Sequence, residues 1–253
     1  MFLSIAFLAA GKGTRFSESH EEPKVAIPVA NTTMSAMSIK NLFRRCLQPF
    51  IGKDDIFNPV VVITKELDEE YPIVREHIDR IDPDMPTKFV LQRGYVNGPA
   101  ETASLLEFEV GVDQPLLISN VDQLIKGNVL DSVKEAVDGG FDGVIFCFES
   151  EEDRYSYVLT DENNVALEMI EKEVISKYAS SGHLFFSKAE NFFNYLNEAR
   201  FSAELGQEIY ISSVCNEAIK DGLKFKVVML DSFVDMGTPQ DLENLGDKWK
   251  TFQ

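Results

Sequence analysis

Two charged segments near the amino terminus carry residue types that bind phosphate. Gly11-Lys12-Gly13-Thr14-Arg15 directly follows the apolar run Phe2 to Leu8. Glycines at such a turn let the backbone bend sharply and bring N–H groups against phosphate oxygens. Lys12 and Arg15 add positive charge, and an arginine can grip a phosphate through two parallel hydrogen bonds. Glu22-Pro23-Lys24 then offers a lysine fixed by a preceding proline, able to neutralise a polyphosphate. Further on, Asp122 ends the run LLISNVD, Glu171-Lys172 closes another apolar stretch, and Asp235 opens Asp235-Met236-Gly237-Thr238-Pro239-Gln240-Asp241. Each has a plainer reading. An Asp at a strand end commonly caps a turn, and Lys172 sits among Glu168, Glu171 and Glu173 as a solvated charged face would.

Two familiar phosphate loops do not fit. A P-loop needs a glycine where Ala6 stands, and a dinucleotide fingerprint needs a third glycine where Phe16 stands. The turn therefore depends on the elements around it. Phe2 to Leu8, Val60 to Thr64, Lys88 to Leu91, Leu116 to Ser119 and Gly143 to Phe148 are apolar runs without alternation, which predicts buried strands. Helical spacing separates them at Met34 to Leu47, where Met37, Leu42, Phe43 and Cys46 share a face, and at Glu101 to Phe108 and Val129 to Val137. After about Ser150 the pattern changes. Tyr155 to Leu159 and Val165 to Ile170 flank Asp161-Glu162-Asn163-Asn164, a hairpin turn. Strands at Ser180 to Phe186 and Phe225 to Leu230 and helices at Ala189 to Glu198, Ile209 to Lys220 and Pro239 to Leu245 complete the chain. The prediction is an α/β fold of three layers, Rossmann-like, with a mixed, mostly parallel sheet covered by helices on both faces.

The 253 residues are 44% apolar and 26% charged, as in a soluble globular protein, and the net charge is -18. So acidic a surface excludes a nucleic-acid partner, which needs a basic footprint, and an anionic membrane surface. Met1 to Ala10 ends in small residues like a short secretory signal, but it has no basic flank and runs straight into the glycine turn, so it reads as a strand. No run reaches the length of a spanning helix. Cys46, Cys147 and Cys215 are odd in number and lack metal-ligand spacing, which predicts buried free thiols and a cytoplasmic location.

LAAGKGTRF followed by EPKVAIPV resembles the opening of the sugar-nucleotide pyrophosphorylases, a nucleotidyltransferase family whose pattern is LAAGxGTRL followed by PK. The likeness continues in order from residue 3 to residue 245. Gln92 and Gly98-Pro99-Ala100-Glu101-Thr102 match the family's nucleobase segment, and LLISNVD its Asp-ending strand. Arg154-Tyr155-Ser156 matches the Arg-Tyr-Gly hairpin, Glu171-Lys172 a Glu-Lys pair, and Ala179 to Phe186 a segment of the form xxxGxYxF. Asp235 to Asp241 matches D-x-G-T-P-E-D.

The resemblance implies a nucleotide-diphospho-sugar transferase-like domain over 1–253, with a nucleotide-binding half (1–150) and an acceptor-binding half (151–253). By resemblance, Leu8, Ala9, Ala10, Gly11, Lys12, Gly13 and Thr14 line the nucleotide, whose triphosphate the backbone from Ala10 to Thr14 wraps, with Arg15 on its outer phosphates. Gln92, Gly98 and Pro99 meet the base. Lys24 contacts the α-phosphate and the incoming phosphate. Asp122 and Asp235 hold Mg2+. Lys172 anchors the acceptor phosphate, with Glu171, Ser156 and Gly182 around the acceptor. The implied partners are a nucleoside triphosphate and a small phosphorylated acceptor, and an oligomer is possible. The implied reaction moves a nucleoside monophosphate onto a sugar 1-phosphate and releases pyrophosphate, for surface-polysaccharide precursors.

Elementary electrostatics agrees, because joining two phosphates brings two anions together and cations must offset the repulsion. The acceptor oxygen is already ionised at neutral pH, so no general base is needed, and His20 and His183 are left as structural or exposed. The departures lie on the acceptor side. Val121 precedes Asp122 where the family has Gly or Cys, Gln123 follows it, Ser156 replaces the hairpin glycine, Glu173 replaces a proline, and the Arg15–Lys24 loop is about one residue short. The long carboxy-terminal extension of hexapeptide-repeat relatives is also missing. A cytidylyltransferase for a non-sugar phosphate is therefore the alternative, with a nucleotide-sensing module as a non-enzymatic one. A glycosyltransferase of related fold would show Asp-x-Asp where Asn120-Val121-Asp122 stands.

Overall fold

The computed structural model describes residues 1–52, 54–82 and 86–252; positions 53, 83–85 and 253 of the expected 1–253 domain lie outside the described residues. In chain order the strands are β1 (Phe2–Leu8), β2 (Pro28–Val29), β3 (Thr32–Thr33), β4 (Ile56–Thr64), β5 (Lys88–Gln92), β6 (Leu116–Asn120), β7 (Gln123–Lys126), β8 (Gly143–Glu149), β9 (Ser156–Thr160), β10 (Ala166–Glu171), β11 (Tyr178–Phe186), β12 (Phe225–Met229) and β13 (Ser232–Asp235). The helices are α1 (Met34–Asn41), α2 (Lys65–Glu70), α3 (Pro72–Asp79), α4 (Pro99–Ser104), α5 (Val129–Asp138), α6 (Ala189–Ser202), α7 (Ile211–Lys220) and α8 (Pro239–Leu245).

Strands β6, β1, β4 and β5 lie side by side and parallel. Their apolar runs do not alternate because both faces are covered. In β1, Leu3, Ile5 and Phe7 join one core layer with α1, α3 and α5, while Ala6 and Leu8 join the other with α4, α6 and α7. The sheet turns mixed at β11, which runs antiparallel to β6, β8 and β9. Through β11 the hairpin β9–β10 and the parallel pair β8–β12 belong to the same sheet, so both halves of the chain share it.

Sheet order places the site. From β1 the chain goes to β4 on one side, and β6 lies on the other, so the carboxyl ends of β1 and β6 open onto a shared crevice, where ligands bind in open α/β sheets. The glycine turn leaves β1 there, and Asp122 leaves β6 there.

Several elements escape the periodic signal. Helices α2 and α3 were not anticipated. The expected helix over Met34 to Leu47 is α1 followed by a wider π-type turn over Leu42–Leu47. Its face is divided as well, since Leu42, Phe43 and Cys46 enter the large core while Met37 enters a smaller one. Most consequential is a separate two-stranded sheet, β7 with β13. Four-residue strands give no readable alternation.

The smaller core lies under the site. Phe16, from the end of the glycine turn, is buried with Leu124 of β7, Met236, Leu245 of α8 and Phe252. The residue that breaks the dinucleotide fingerprint thus anchors the turn to the strand pair that carries Asp235.

At the other end of the sheet Gly143 has no room for a side chain. An added Cβ would fall on the Phe225 ring and 2.5 Å from the Phe185 carbonyl oxygen. Gly143→Ala should therefore cost about 2–3 kcal/mol by overpacking, read as a lowered urea midpoint with unchanged m-value.

Candidate active site

A cleft of about 680 Å³ opens at the crevice. Its walls come from the glycine turn, the loop after β5, the end of β6, the β9–β10 hairpin, β11 and the start of α7. This volume is within the range of roughly 300–1,000 Å³ typical of small-ligand sites.

The turn after β1 is shaped by Gly13, whose φ is +62°, a left-handed conformation that favours glycine. A Cβ on Gly13 would meet the Lys24 Cβ at 2.7 Å, so the turn packs directly on that lysine's stem. Phe16 N–H bonds to the Gly13 carbonyl at 2.9 Å and closes the turn. Lys24 in turn donates from Nζ to the Asp122 carboxylate, a half-buried ion pair. Residues 98 apart in sequence thus meet where β1 and β6 end.

Asp235 is delivered to the same place by strand pairing. It lies opposite Gln123 in the β7–β13 ladder, and Met236 N–H bonds to the Asp122 carbonyl at 2.8 Å. Its carboxylate accepts from Gly237 N–H at 2.9 Å and from the Tyr155 hydroxyl at 3.2 Å. Burial and the like charges of Asp122 and Asp241 push the Asp235 carboxyl up to about 6. Lys24 and Arg154 oppose the rise. Arg154 grips Asp241 with two bonds, 2.5 and 2.9 Å, and lies 3.4 Å from Asp235. Thr238 caps α8 by accepting from Asp241 N–H at 3.1 Å. The Tyr155 hydroxyl is pushed upward by burial and by Asp235, so it remains a neutral donor.

The residues expected on the acceptor side also gather. The Glu171 carboxylate accepts from the hydroxyls of Ser156 and Ser212, the latter at 2.7 Å. Lys172, at φ +57°, donates from Nζ to the Tyr210 hydroxyl at 2.7 Å. Gly182, at φ +75°, sits at an irregularity of β11, where a Cβ would strike the Asn120 amide. The Gln123 side chain, 8% exposed, has an Oε1 with no hydrogen-bond partner among the described residues. Lys24 and Arg154 are ion-paired, whereas Lys12, Arg15 and Lys172 form no ion pair among the described residues.

Of the residues expected from sequence, Leu8, Ala10, Gly11, Lys12, Gly13, Thr14, Arg15, Lys24, Gly98, Pro99, Asp122, Ser156, Glu171, Lys172, Gly182 and Asp235 all line the cleft. Ala9 does not. It is fully buried in the core behind the turn. Gln92 does not either. Its side chain is 2% exposed, donates to the Gly94 carbonyl at 2.9 Å, and stays out of the lining. The Gly98 N–H is spent on the Val96 carbonyl at 3.0 Å. Tyr95, Val96 and Asn97 form this wall instead. Sequence reasoning missed Tyr95, Tyr210 and Ser212, because the first lies in an irregular loop and the others were absorbed into a helical pattern. His183 is fully buried against Ser181, and burial lowers its pKa to about 4, in keeping with a structural role.

The chain belongs to the nucleotidyl transferase family, whose model matches residues 6–250. It is a nucleotidyltransferase on a nucleotide-diphospho-sugar transferase-like fold. No curated protein sequence matches it. Among solved structures it is similar to a nucleoside-diphosphate-sugar pyrophosphorylase from Vibrio cholerae RC9, with TM-score 0.75, 19% identity, and 95% of this chain and 98% of that one covered. It is also similar to an inositol-1-phosphate CTP transferase from T. maritima, with TM-score 0.72, 17% identity, and 98% and 94% covered. A UDP-glucose pyrophosphorylase complexed with UDP-glucose gives TM-score 0.73 at 15% identity over 100% of both chains. At such identities the likeness concerns the fold. Among the described residues no helix is long and apolar enough to cross a membrane.

The raised Asp235 carboxyl has a consequence for stability. A carboxyl whose folded pKa lies above its unfolded value of 3.8 favours folding while protonated and loses that contribution as pH rises through about 6. Asp235→Asn removes the penalty of the buried charge. It should stabilise the protein by roughly 1 kcal/mol above pH 7, with the gain shrinking between pH 6 and 4, in denaturation curves across that range. A gain independent of pH would contradict the electrostatic origin.

Proposed function

We propose that this nucleotidyltransferase moves a nucleoside monophosphate from a nucleoside triphosphate to a sugar 1-phosphate, releasing pyrophosphate and forming a nucleoside-diphosphate sugar. Such a product is the activated donor that surface-polysaccharide assembly consumes. One observation carries the reading. A single cleft holds the cations Lys12, Arg15 and Lys172, which form no ion pair among the described residues, together with the carboxylates Asp122 and Asp235.

The backbone of the turn from Ala10 to Thr14 wraps the triphosphate, with Arg15 on its outer groups. Lys24 is placed to meet the α-phosphate by exchanging Asp122 for it. Lys172 anchors the acceptor phosphate. The attacking phosphate oxygen is ionised, so positioning and charge do the catalysis and no side chain need take a proton. Tyr95, Val96 and Asn97 replace Gln92 as the base-contacting wall.

Asp122 and Asp235 fit a hard divalent cation such as magnesium, because both offer carboxylate oxygens and their mutual repulsion is what a cation relieves. Among the described residues no group of three acidic, histidine or cysteine side chains is gathered, so these two carboxylates are the side chains that would hold the ion. When bound, the ion screens phosphate charge and stabilises the leaving pyrophosphate.

A sugar acceptor is supported by the hydrogen-bond acceptors on this side. Glu171 keeps capacity beyond its two serine bonds, and the buried Gln123 Oε1 lacks a donor. A polyhydroxyl ligand supplies donors to both. The second reading, a cytidylyltransferase for a non-sugar phosphate, is favoured by Ser156, whose hydroxyl takes up part of the Glu171 carboxylate's hydrogen-bonding capacity in the cleft.

The test measures pyrophosphate release with magnesium, each of the four ribonucleoside triphosphates and dTTP, against a panel of sugar 1-phosphates and phospho-alcohols. Turnover confined to sugar 1-phosphates supports the first reading, and turnover confined to phospho-alcohols the second. Asp122→Ala and Asp235→Ala should each lower turnover by roughly a thousandfold while far-UV circular dichroism is unchanged. A near-normal rate in either variant removes the cation assignment.

A further inference from the structure

We infer that Tyr210 is a positioning residue for Lys172, carried on a strap over residues 207–210 that ties the acceptor-side lysine to the loop lining the nucleotide end of the cleft. The inference rests on the reading of Lys172 as the acceptor-phosphate anchor.

The strap precedes α7 and is bound along its length to the loop after β5. Asn97 Nδ2 donates to the Gln207 carbonyl at 2.5 Å. Ile209 N–H donates to the Asn97 carbonyl at 2.9 Å, and Ala100 N–H to the Ile209 carbonyl at 3.0 Å. The two segments approach so closely that a Cβ on Gly98 would lie 2.5 Å from the Ile209 oxygen and 2.7 Å from its nitrogen. Gly98, at φ +108°, is thus required for this backbone contact. Ile209 is buried, so the strap has a fixed anchor, and Tyr210 follows it directly.

At its far end the strap holds the lysine without neutralising it. The Tyr210 hydroxyl accepts from Lys172 Nζ at 2.7 Å and donates to the Glu208 carboxylate. The ammonium also lies 4.5 Å from the ring centroid. Glu208 therefore acts through a hydroxyl rather than as an ion-pair partner. An ammonium has three donors, and one bond to Tyr210 leaves two for a phosphate. The same bond makes deprotonation of Lys172 harder, in keeping with its raised pKa. The contrast is with Lys24, whose charge is shared with Asp122. Lys172 also leaves β10 with a left-handed backbone, and its N–H bonds to the Tyr155 carbonyl at 3.0 Å, so the stem is fixed from behind and the head from the strap.

Two measurements on the full chain separate this from a merely structural role. The first does not depend on the substrate. Acetylation of lysines by a dilute acetyl ester is followed residue by residue by mass spectrometry. Tyr210→Phe keeps the ring and loses the hydroxyl, so Lys172 should react about fivefold faster while Lys65 is unchanged. Asn97→Ala should loosen the strap and raise Lys172 reactivity in the same direction. An unchanged Lys172 rate in Tyr210→Phe overturns the positioning role, and an unchanged rate in Asn97→Ala overturns the tie. The second uses whichever sugar 1-phosphate or phospho-alcohol of the panel the wild type turns over. Tyr210→Phe should raise its KM about tenfold, with kcat and the triphosphate KM within about twofold. A uniform fall in kcat with both KM values unchanged also overturns it. Wild-type silence on the whole panel would count against the function proposed above, and the acetylation result would still decide the role of Tyr210.

Discussion

Two carboxylates held against each other in a largely buried pocket repel, and a fold that keeps them there has to supply opposing charge. Asp122 comes from the middle of the chain and Asp235 from near its carboxyl end, and they meet because β7 pairs with β13 beside the main sheet. The cost shows in the Asp235 carboxyl, and the compensation comes from Lys24 on one side and from Arg154 on the other. Much of the surrounding structure follows from this constraint. Gly13 is needed so that the glycine turn can pack on Lys24, Phe16 and Met236 bury the turn and β13 in one small core, and Asp241 fixes Arg154 in place.

An acidic chain is an unusual host for polyanions. The solution lies in which cations are left unpaired. Lys24 and Arg154 serve the carboxylates, while Lys12, Arg15 and Lys172 face the cleft without ion-pair partners among the described residues. With a net charge of -18 the long-range field repels a nucleotide, so the attraction is confined to the cleft and is felt at contact distances.

The parts of the fold legible in the sequence were those with long signals. β1 and α8 were read to the residue, and most other strands and helices to within a few residues, because apolar runs of five or more and helical spacing persist through them. The motifs were legible as a set because the glycine turn, Pro23-Lys24, Asp122 and Asp235 follow the family's order, although each alone has a plainer use. What could not be read was whatever depends on tertiary pairing. β13 is four half-buried residues with no pattern of its own, yet it brings Asp235 to the site. Gln92 and Tyr210 illustrate the same limit. The position of each in the chain says little, and only the approach of a distant segment decides that the first turns inward to Gly94 and the second turns out to Lys172.

The three cysteines are all buried, and burial drives each thiol away from its reactive ionised form. To a maleimide reagent the native chain is therefore nearly blank. One cysteine introduced at an exposed strap position such as Gln207 would be the sole labelling point, so a fluorophore could follow that segment during catalysis in an otherwise natural sequence.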